Sequence, residues 1–270
     1  MIDFRARPVS TVYTALERTL IIVPTYNEES NIGELVRQFF HSVANVNLLV
    51  VDDASPDGTA EVVDRLTQRY PSLRVLRRQD VRGLGRAYTA GILYGLENDF
   101  QIIGTMDADL SHDPAYLPRM LTLLETYDVV IGSRYIRDGG TINWQIRRVL
   151  LSWLANKYAA KLLGVPAHDI TSGFRLYRRK ALEWIRIEAV RSTGYSFLGE
   201  LLYRAYLSGA RIGECPIVFY DRTMGASKLH TREIYLGALN LLRLRLSVRK
   251  HQRCVLNAML AGLAICYGGG

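Results

Sequence analysis

Asp107 and Asp109 stand two residues apart, directly after the apolar run Ile102-Ile-Gly-Thr-Met106. Carboxylates at this spacing, where a buried strand ends, form a site for a hard, oxygen-preferring cation such as Mg²⁺ or Mn²⁺. Such a cation bridges diphosphate oxygens and offsets charge on a departing phosphate. The competing use of the same acids is capping of the helix that follows. Asp113 suits that second role better, because Pro114 after it fits a first helical position.

A second group of residues is cationic. Arg134 follows the apolar Val129-Val-Ile131, and Arg148 and Ser152 lie four residues apart, hence on one face of a helix. A guanidinium pair with a hydroxyl fits a phosphate monoester. The default for any single arginine, Arg147 among them, is solvated surface charge. Arg222 and Lys228 flank Thr-Met-Gly-Ala-Ser, where Gly225 marks a flexible loop able to close over a ligand.

The elements that must position these groups read as alternating strands and helices. Short apolar runs predict strands at Leu20–Val23, ended by Pro24, and at Leu48–Val51, Leu73–Leu76, Ile102–Met106 and Val129–Ile131. Helices are expected from an N-cap at Ser30 or Asn31, from the Asp57-Gly58 turn to about Tyr70, over Gly83–Leu96 and over Pro114–Glu125. This order predicts an α/β fold with a mainly parallel sheet and helices on both faces. Ligands of such sheets bind beyond the carboxyl ends of the strands. Pro24-Thr-Tyr-Asn-Glu28, Asp52-Asp53 and Asp107-Ala-Asp109 all occupy those ends, so three strands deliver polar groups to one crevice. A sugar nucleotide combines a diphosphate with a group to transfer, and it fits these residues.

Beyond Arg134 the pattern changes. A long helix is expected over Ile142–Leu163, with Trp144 and Trp153, then a mixed, polar-rich stretch over 165–230. A Leu-rich helix is expected from Glu233 to about Val248. If it continues, Arg245, Arg249 and Arg253 stack on one face. A helix lying on a membrane surface and an ordinary packed helix with a solvated arginine edge both fit that pattern.

The net charge of +8 is concentrated. Residues 222–253 hold eight Lys/Arg against the single acid Glu233, so the basic character is a local device suited to anionic lipid or phosphate. Nucleic acid is not expected as a partner, because no nucleic-acid motif accompanies the cluster. The three cysteines, Cys215, Cys254 and Cys266, show no metal spacing and fit a reducing compartment. The N-terminus carries no apolar signal core, so export is not expected. No run reaches the roughly 20 apolar residues of a spanning helix. The nearest, Val255–Tyr267, fits an interfacial anchor, part of a membrane segment or a core helix.

With these residues in view, the chain resembles the family 2 glycosyltransferases of GT-A fold, and within them the dolichol-phosphate (polyprenol-phosphate) mannosyltransferases. The matching pieces, in family order, are Ile22-Val-Pro-Thr-Tyr-Asn-Glu28, Val50-Val-Asp-Asp-Ala-Ser-Pro-Asp-Gly-Thr59, Arg82-Gly-Leu-Gly85, Met106-Asp-Ala-Asp-Leu-Ser-His112, Ile131-Gly-Ser-Arg-Tyr135, Thr171-Ser-Gly-Phe-Arg175 and Gly225-Ala-Ser-Lys-Leu229. They cover roughly residues 19–245. The resemblance implies a tail over 1–18, a GT-A domain over 19–230, and a basic, apolar, membrane-associated helical segment over 231–270.

It further implies transfer of mannose from GDP-mannose to dolichyl or polyprenyl phosphate, with inversion, at the cytoplasmic face of a membrane. Relatives with a UDP-sugar donor such as UDP-glucose share the early motifs. A catalytically silent nucleotide-sugar-binding membrane module is the alternative of another class. By resemblance, Pro24, Tyr26, Glu28, Val51, Asp53, Asp107, Ala108, Asp109, Arg222 and Lys228 hold the donor. Arg134, Arg148 and Ser152 take the acceptor phosphate, and Asp109, Arg134 and Arg148 carry catalysis. Asp107 and Asp109 ligate the metal. Ser111 stands where some relatives place a third ligand, a Gln. Arg175 is expected to organise the site and Asp169 to hold the acceptor-side loop. A phosphate monoester is already anionic near neutrality, so no dedicated general base is expected.

Overall fold

A computed structural model describes residues 18–79, 82–190, 192, 194, 196–221, 237 and 239–246. The tail over 1–17, the loop with Arg222 and Lys228, Arg249, Arg253 and the run Val255–Tyr267 lie outside the described residues.

The strands are β1 (Thr19–Thr25), β2 (Asn47–Asp52), β3 (Leu73–Arg77), β4 (Ile102–Thr105), β5 (Val129–Ser133), β6 (Gly140–Ile142), β7 (Arg175–Arg178), β8 (Ile212–Pro216) and β9 (Val218–Tyr220). The α-helices are α1 (Glu29–Ser42), α2 (Thr59–Thr67), α3 (Leu84–Glu97), α4 (Leu117–Leu123), α5 (Ile146–Leu163), α6 (Arg179–Ile185) and α7 (Ser196–Leu207), followed by helical residues 239–246. Seven strands form one sheet in the order β3-β2-β1-β4-β7-β5-β8, and β6 and β9 pair separately. In the large sheet β7 alone runs antiparallel to its neighbours β4 and β5.

Side chains alternate across the sheet, so each buried strand feeds two cores. Leu20, Ile22, Leu49, Val51 and Ile103 face α3, α5, α6 and α7. Ile21, Val23, Leu48 and Val50 face α1, α2 and α4. α3 seats directly on β1 and β4, because Gly91 and Gly95 carry no side chain. A Cβ there would lie 2.6 Å from Ile22 and 2.7 Å from Ile103.

Several expectations are corrected. β1 does not stop at Pro24 but continues to Thr25, with Pro24 opposite Val51 in the parallel register. α1 starts at Glu29, before Ser30 and Asn31. Its first N–H groups are capped from the next loop: Thr59 Oγ1 accepts from Glu28 N at 3.0 Å, and Asp57 accepts from Glu29 N at 3.0 Å. A tertiary cap of this kind leaves no local signal. Residues Pro114–Tyr116 form a 3₁₀ turn, with Asp113 accepting from Ala115 N at 2.8 Å, before α4 begins. The long helix does not begin at Ile142. That residue ends β6, Asn143 takes a left-handed φ of 64°, and Trp144 precedes α5. The polar stretch over 165–230 conceals β7, β8 and β9.

α5 buries Ala159 and Leu163 but turns most of its large apolar residues outward. Ile146 is 85% exposed, and Leu150, Leu151, Trp153, Leu154 and Tyr158 stay solvent-facing, while polar Asn156 is buried. Asn156 earns its burial by hydrogen bonding: its amide donates to Ser152 O and Thr171 Oγ1 and accepts from Thr171 N. In the C-terminal helical residues, Leu241 and Leu244 enter the core and Leu239, Leu242 and Leu246 remain exposed.

Candidate active site

Six of the seven large-sheet strands run the same way, so the carboxyl ends of β1, β2, β4 and β5 share one edge. The antiparallel β7 brings its leading loop, Asp169–Phe174, to that edge as well. Four non-glycine residues in the loops after these strands take left-handed φ: Asn27 at 57°, Ala54 at 52°, Leu110 at 62° and Asp138 at 68°. A left-handed backbone is costly for a leucine, and such strain concentrates where a loop must aim functional groups.

Leu110 lies inside the turn that sets the acidic pair. Asp109 is nearly buried and accepts hydrogen bonds from Ser111 N and Ser111 Oγ. The Asp107 carboxylate is one-third exposed and accepts from the Tyr88 hydroxyl at 3.1 Å. Its backbone N–H donates to His112 Nδ1 at 3.2 Å. His112 is fully enclosed, and burial holds its imidazole below the usual range against the pull of Asp107 and Asp109. The neutral ring is the form that accepts this N–H.

Gly173 presses on the pair from the β7 loop. A Cβ there would stand 2.8 Å from Asp107 Oδ1. Gly173→Ala must therefore displace the carboxylate. The expected result is a loss of turnover of about tenfold or more with little change in melting temperature, read by steady-state kinetics beside a thermal melt.

Arg134 leaves the end of β5 and is buried. Its Nε and Nη2 donate to both carboxylate oxygens of Asp169, at 2.7 and 2.8 Å, and Nη2 also reaches Thr171 Oγ1 at 2.9 Å. Burial alone would favour the neutral guanidine, but Asp169, with help from Tyr135 and Asp107, holds the charge in place. Burial would likewise raise Asp169, and Arg134 reverses this, keeping its carboxyl below the usual range. Arg148 donates to Asp221 at 2.8 Å and stacks on Trp144, its guanidinium carbon 3.9 Å from the ring centroid. Ser152 lies one turn further along α5, half-buried.

Ring contacts join the two constellations. Trp144 meets Phe219 edge-on at 5.3 Å, Phe219 meets His112 at 5.2 Å, and His112 touches the acidic pair. Arg134 sits 5.3 Å from Phe219 and 5.5 Å from Trp144. A continuous run of ring contacts thus joins the acids to the arginines.

The remaining expected residues take varied positions. Pro24 and Tyr26 are half-buried at the end of β1, and Arg82 covers the Tyr26 ring at 4.5 Å while donating to its hydroxyl. Glu28 accepts from the Asn31 amide at 2.9 Å. Asp52 closes its own turn through Thr25 and Ser55. Asp53 is nearly buried, one oxygen against Arg78 and the other accepting from Gly83 N at 2.8 Å. Val51 is fully buried and Ala108 nearly so. Arg175 is wholly buried and donates to the carbonyls of Ser172, Ile170 and Leu198. His168 pairs with Glu214 at 2.7 Å. Tyr88, Asp221 and Trp144 join this edge without having been singled out for it in the sequence. Tyr88 and Asp221 reach partners distant in the chain, Asp107 and Arg148, and Trp144 meets the distant Phe219.

A mainly parallel seven-stranded sheet covered by helices on both faces, with an acidic pair at its carboxyl edge, is an architecture of the GT-A kind. The same fold is seen in the crystal structure of glucosyl-3-phosphoglycerate synthase from Mycobacterium tuberculosis in complex with Mn²⁺, UDP and glucosyl-3-phosphoglycerate. That comparison gives a TM-score of 0.61 at 19% identity, covering 92% of this chain and 86% of that one. The family profile described as glycosyl transferase family 2 matches residues 20–186, and the chain belongs to that family. The polyprenol monophosphomannose synthase of Mycolicibacterium smegmatis is 45% identical over 215 residues, covering 79% of this chain and 81% of the relative. The undecaprenyl-phosphate mannosyltransferase of Micrococcus luteus is 40% identical over 232 residues, covering 86% and 96%.

Proposed function

We propose that this protein transfers mannose from GDP-mannose to a polyprenyl phosphate, releasing GDP and forming polyprenyl-phosphate mannose with inversion. The observation that carries the reading is an acidic pair joined by a run of ring contacts to an arginine pair, in a chain 45% and 40% identical to two enzymes of that type over most of their lengths. Tyr26, Glu28 and Asp53 border the donor end, and the resemblance assigns Arg222 and Lys228, outside the described residues, to its diphosphate. Asp53 reaches a nucleoside only by loosening its hold on Arg78 and Gly83.

The donor set fits a hard divalent cation. Asp107 offers a partly exposed carboxylate, and Asp109 a carboxylate already held by Ser111 in a strained turn. Among the described residues no group of three or more His, Cys, Asp or Glu could hold a metal ion, so the two acids need ligand oxygens to complete a shell. When bound, Mg²⁺ or Mn²⁺ supplies charge neutralisation at the departing diphosphate. The protein does the rest by position. Arg134, fixed by Asp169, and Arg148, fixed by Asp221, orient the acceptor phosphate. Its oxygen is already an anion near neutrality and attacks without a base.

The acceptor is a lipid, and α5 suits it. Arg148 and Ser152 lie on the helix whose other residues, Ile146, Leu150 and Leu154, face outward, with Lys157 over the Trp153 ring at 4.7 Å. An apolar face edged with cations sits at a bilayer surface and places the lipid phosphate beside its site. No helix among the described residues is long and apolar enough to cross a membrane.

The test is direct. The full chain with Mn²⁺ or Mg²⁺, GDP-mannose and undecaprenyl phosphate in detergent is expected to release GDP and form lipid-linked mannose. Absence of product with any lipid phosphate overturns the reading. Product from UDP-glucose but not from GDP-mannose reassigns the donor.

A further inference from the structure

Among the described residues, two buried side-chain polar atoms have no hydrogen-bond partner: Tyr135 Oη and Trp144 Nε1. They belong to neighbouring residues of one place. The Trp144 ring lies between the two arginines, 3.9 Å from Arg148 and 5.5 Å from Arg134. The Tyr135 ring is 5.2 Å from Arg134. Burial holds the Tyr135 phenol above its usual range, against the pull of Arg134, the nearby Ser152 and Arg148, so it stays a neutral donor, and no hydrogen bond of ordinary geometry reaches Oη.

A buried donor without an acceptor is costly, and two in one cluster call for a common partner. The chemistry of that partner is constrained. The indole N–H donates and never accepts, and the phenol donates readily. Two guanidinium groups flank them, each held by a carboxylate on one edge only. The complement is a compact anion with several acceptor oxygens. Water can fill each donor only singly. A phosphate monoester has three terminal oxygens and can meet both donors and the open edges of the guanidinium groups together.

We infer that Tyr135 Oη and Trp144 Nε1 donate hydrogen bonds to terminal oxygens of the acceptor phosphate, completing the set begun by Arg134, Arg148 and Ser152. This deepens the proposed function and rests on its assignment of the acceptor side. The two groups add something arginines cannot. They are neutral donors, so they fix the phosphate in orientation while withdrawing less charge from the attacking oxygen than a further cation would.

The experiment is calorimetric titration of the full chain with farnesyl phosphate in detergent, run beside GDP with Mn²⁺. Tyr135→Phe and Trp144→Phe keep the rings and remove the donors. Each is expected to weaken farnesyl phosphate binding about tenfold, the loss of one hydrogen bond to a charged group, while GDP affinity stays within about twofold. Should Trp144→Phe fail to fold, Tyr135→Phe decides alone. Unchanged farnesyl phosphate affinity in the variants overturns the inference, and the donors are then satisfied by water only. Failure of the wild-type chain to bind farnesyl phosphate overturns it too. If wild type binds, the variants weaken, and GDP-mannose still yields no lipid-linked mannose, the inference stands and the proposed transfer falls.

Discussion

Asp109→Asn is expected to lower kcat for lipid-linked mannose at least about a hundredfold while leaving the thermal midpoint almost unmoved. The substitution is close to isosteric. An asparagine oxygen can still accept from Ser111 N and Ser111 Oγ, so the turn through Leu110 keeps its shape. What disappears is one of two negative charges facing the crevice. Calorimetry should show that the gain in GDP affinity produced by Mn²⁺ is largely lost, and a chelator should mimic the variant in the wild-type chain. Turnover retained at the wild-type level would remove the metal from the reading.

The second large effect concerns stability. Asp169→Ala should cost about 3–5 kcal/mol, because it leaves the guanidinium of Arg134 buried without its counter-charge. Urea denaturation gives the value directly. A loss below about 1 kcal/mol would mean that Arg134 swings out to solvent. The pH dependence follows from the same pair. The folded pKa of Asp169 lies below its unfolded value of about 3.9, so its contribution is fully present above that value. It is lost as pH falls through the lower, folded pKa. In the Ala variant this component of acid destabilisation should vanish.

Much of the sheet that carries the acidic pair was legible in the sequence. Parallel strands buried on both faces must be continuous apolar runs, and Leu20–Val23, Leu48–Val51 and Val129–Ile131 announce themselves. The acidic pair stands out because two carboxylates after such a run have few other uses. β7 was hidden for the opposite reason. Arg175-Leu-Tyr-Arg178 has an arginine at each end and falls in the polar-rich stretch, yet Arg175 is wholly enclosed, its charge met by the carbonyls of Ser172, Ile170 and the more distant Leu198. The same limit applies at the acceptor side. The spacing of Arg148 and Ser152 is a local helical signal. The seating of Trp144 between two arginines depends on Asn143 breaking the helix and on β6 meeting β9.

The central placement of β7 bears on how the chain reaches this state. β4 and β5 are made first, and neither touches the other. Until residues 175–178 emerge from the ribosome and slot between them, both strands present unpaired edges, and the loop bearing Asp169 and Gly173 is missing. A nascent chain halted just after Ser133 would hold both acids but no closed sheet, and would be prone to sticking to its neighbours. Assembly of the reactive edge therefore waits on the insertion of β7, and β8 completes the sheet later still.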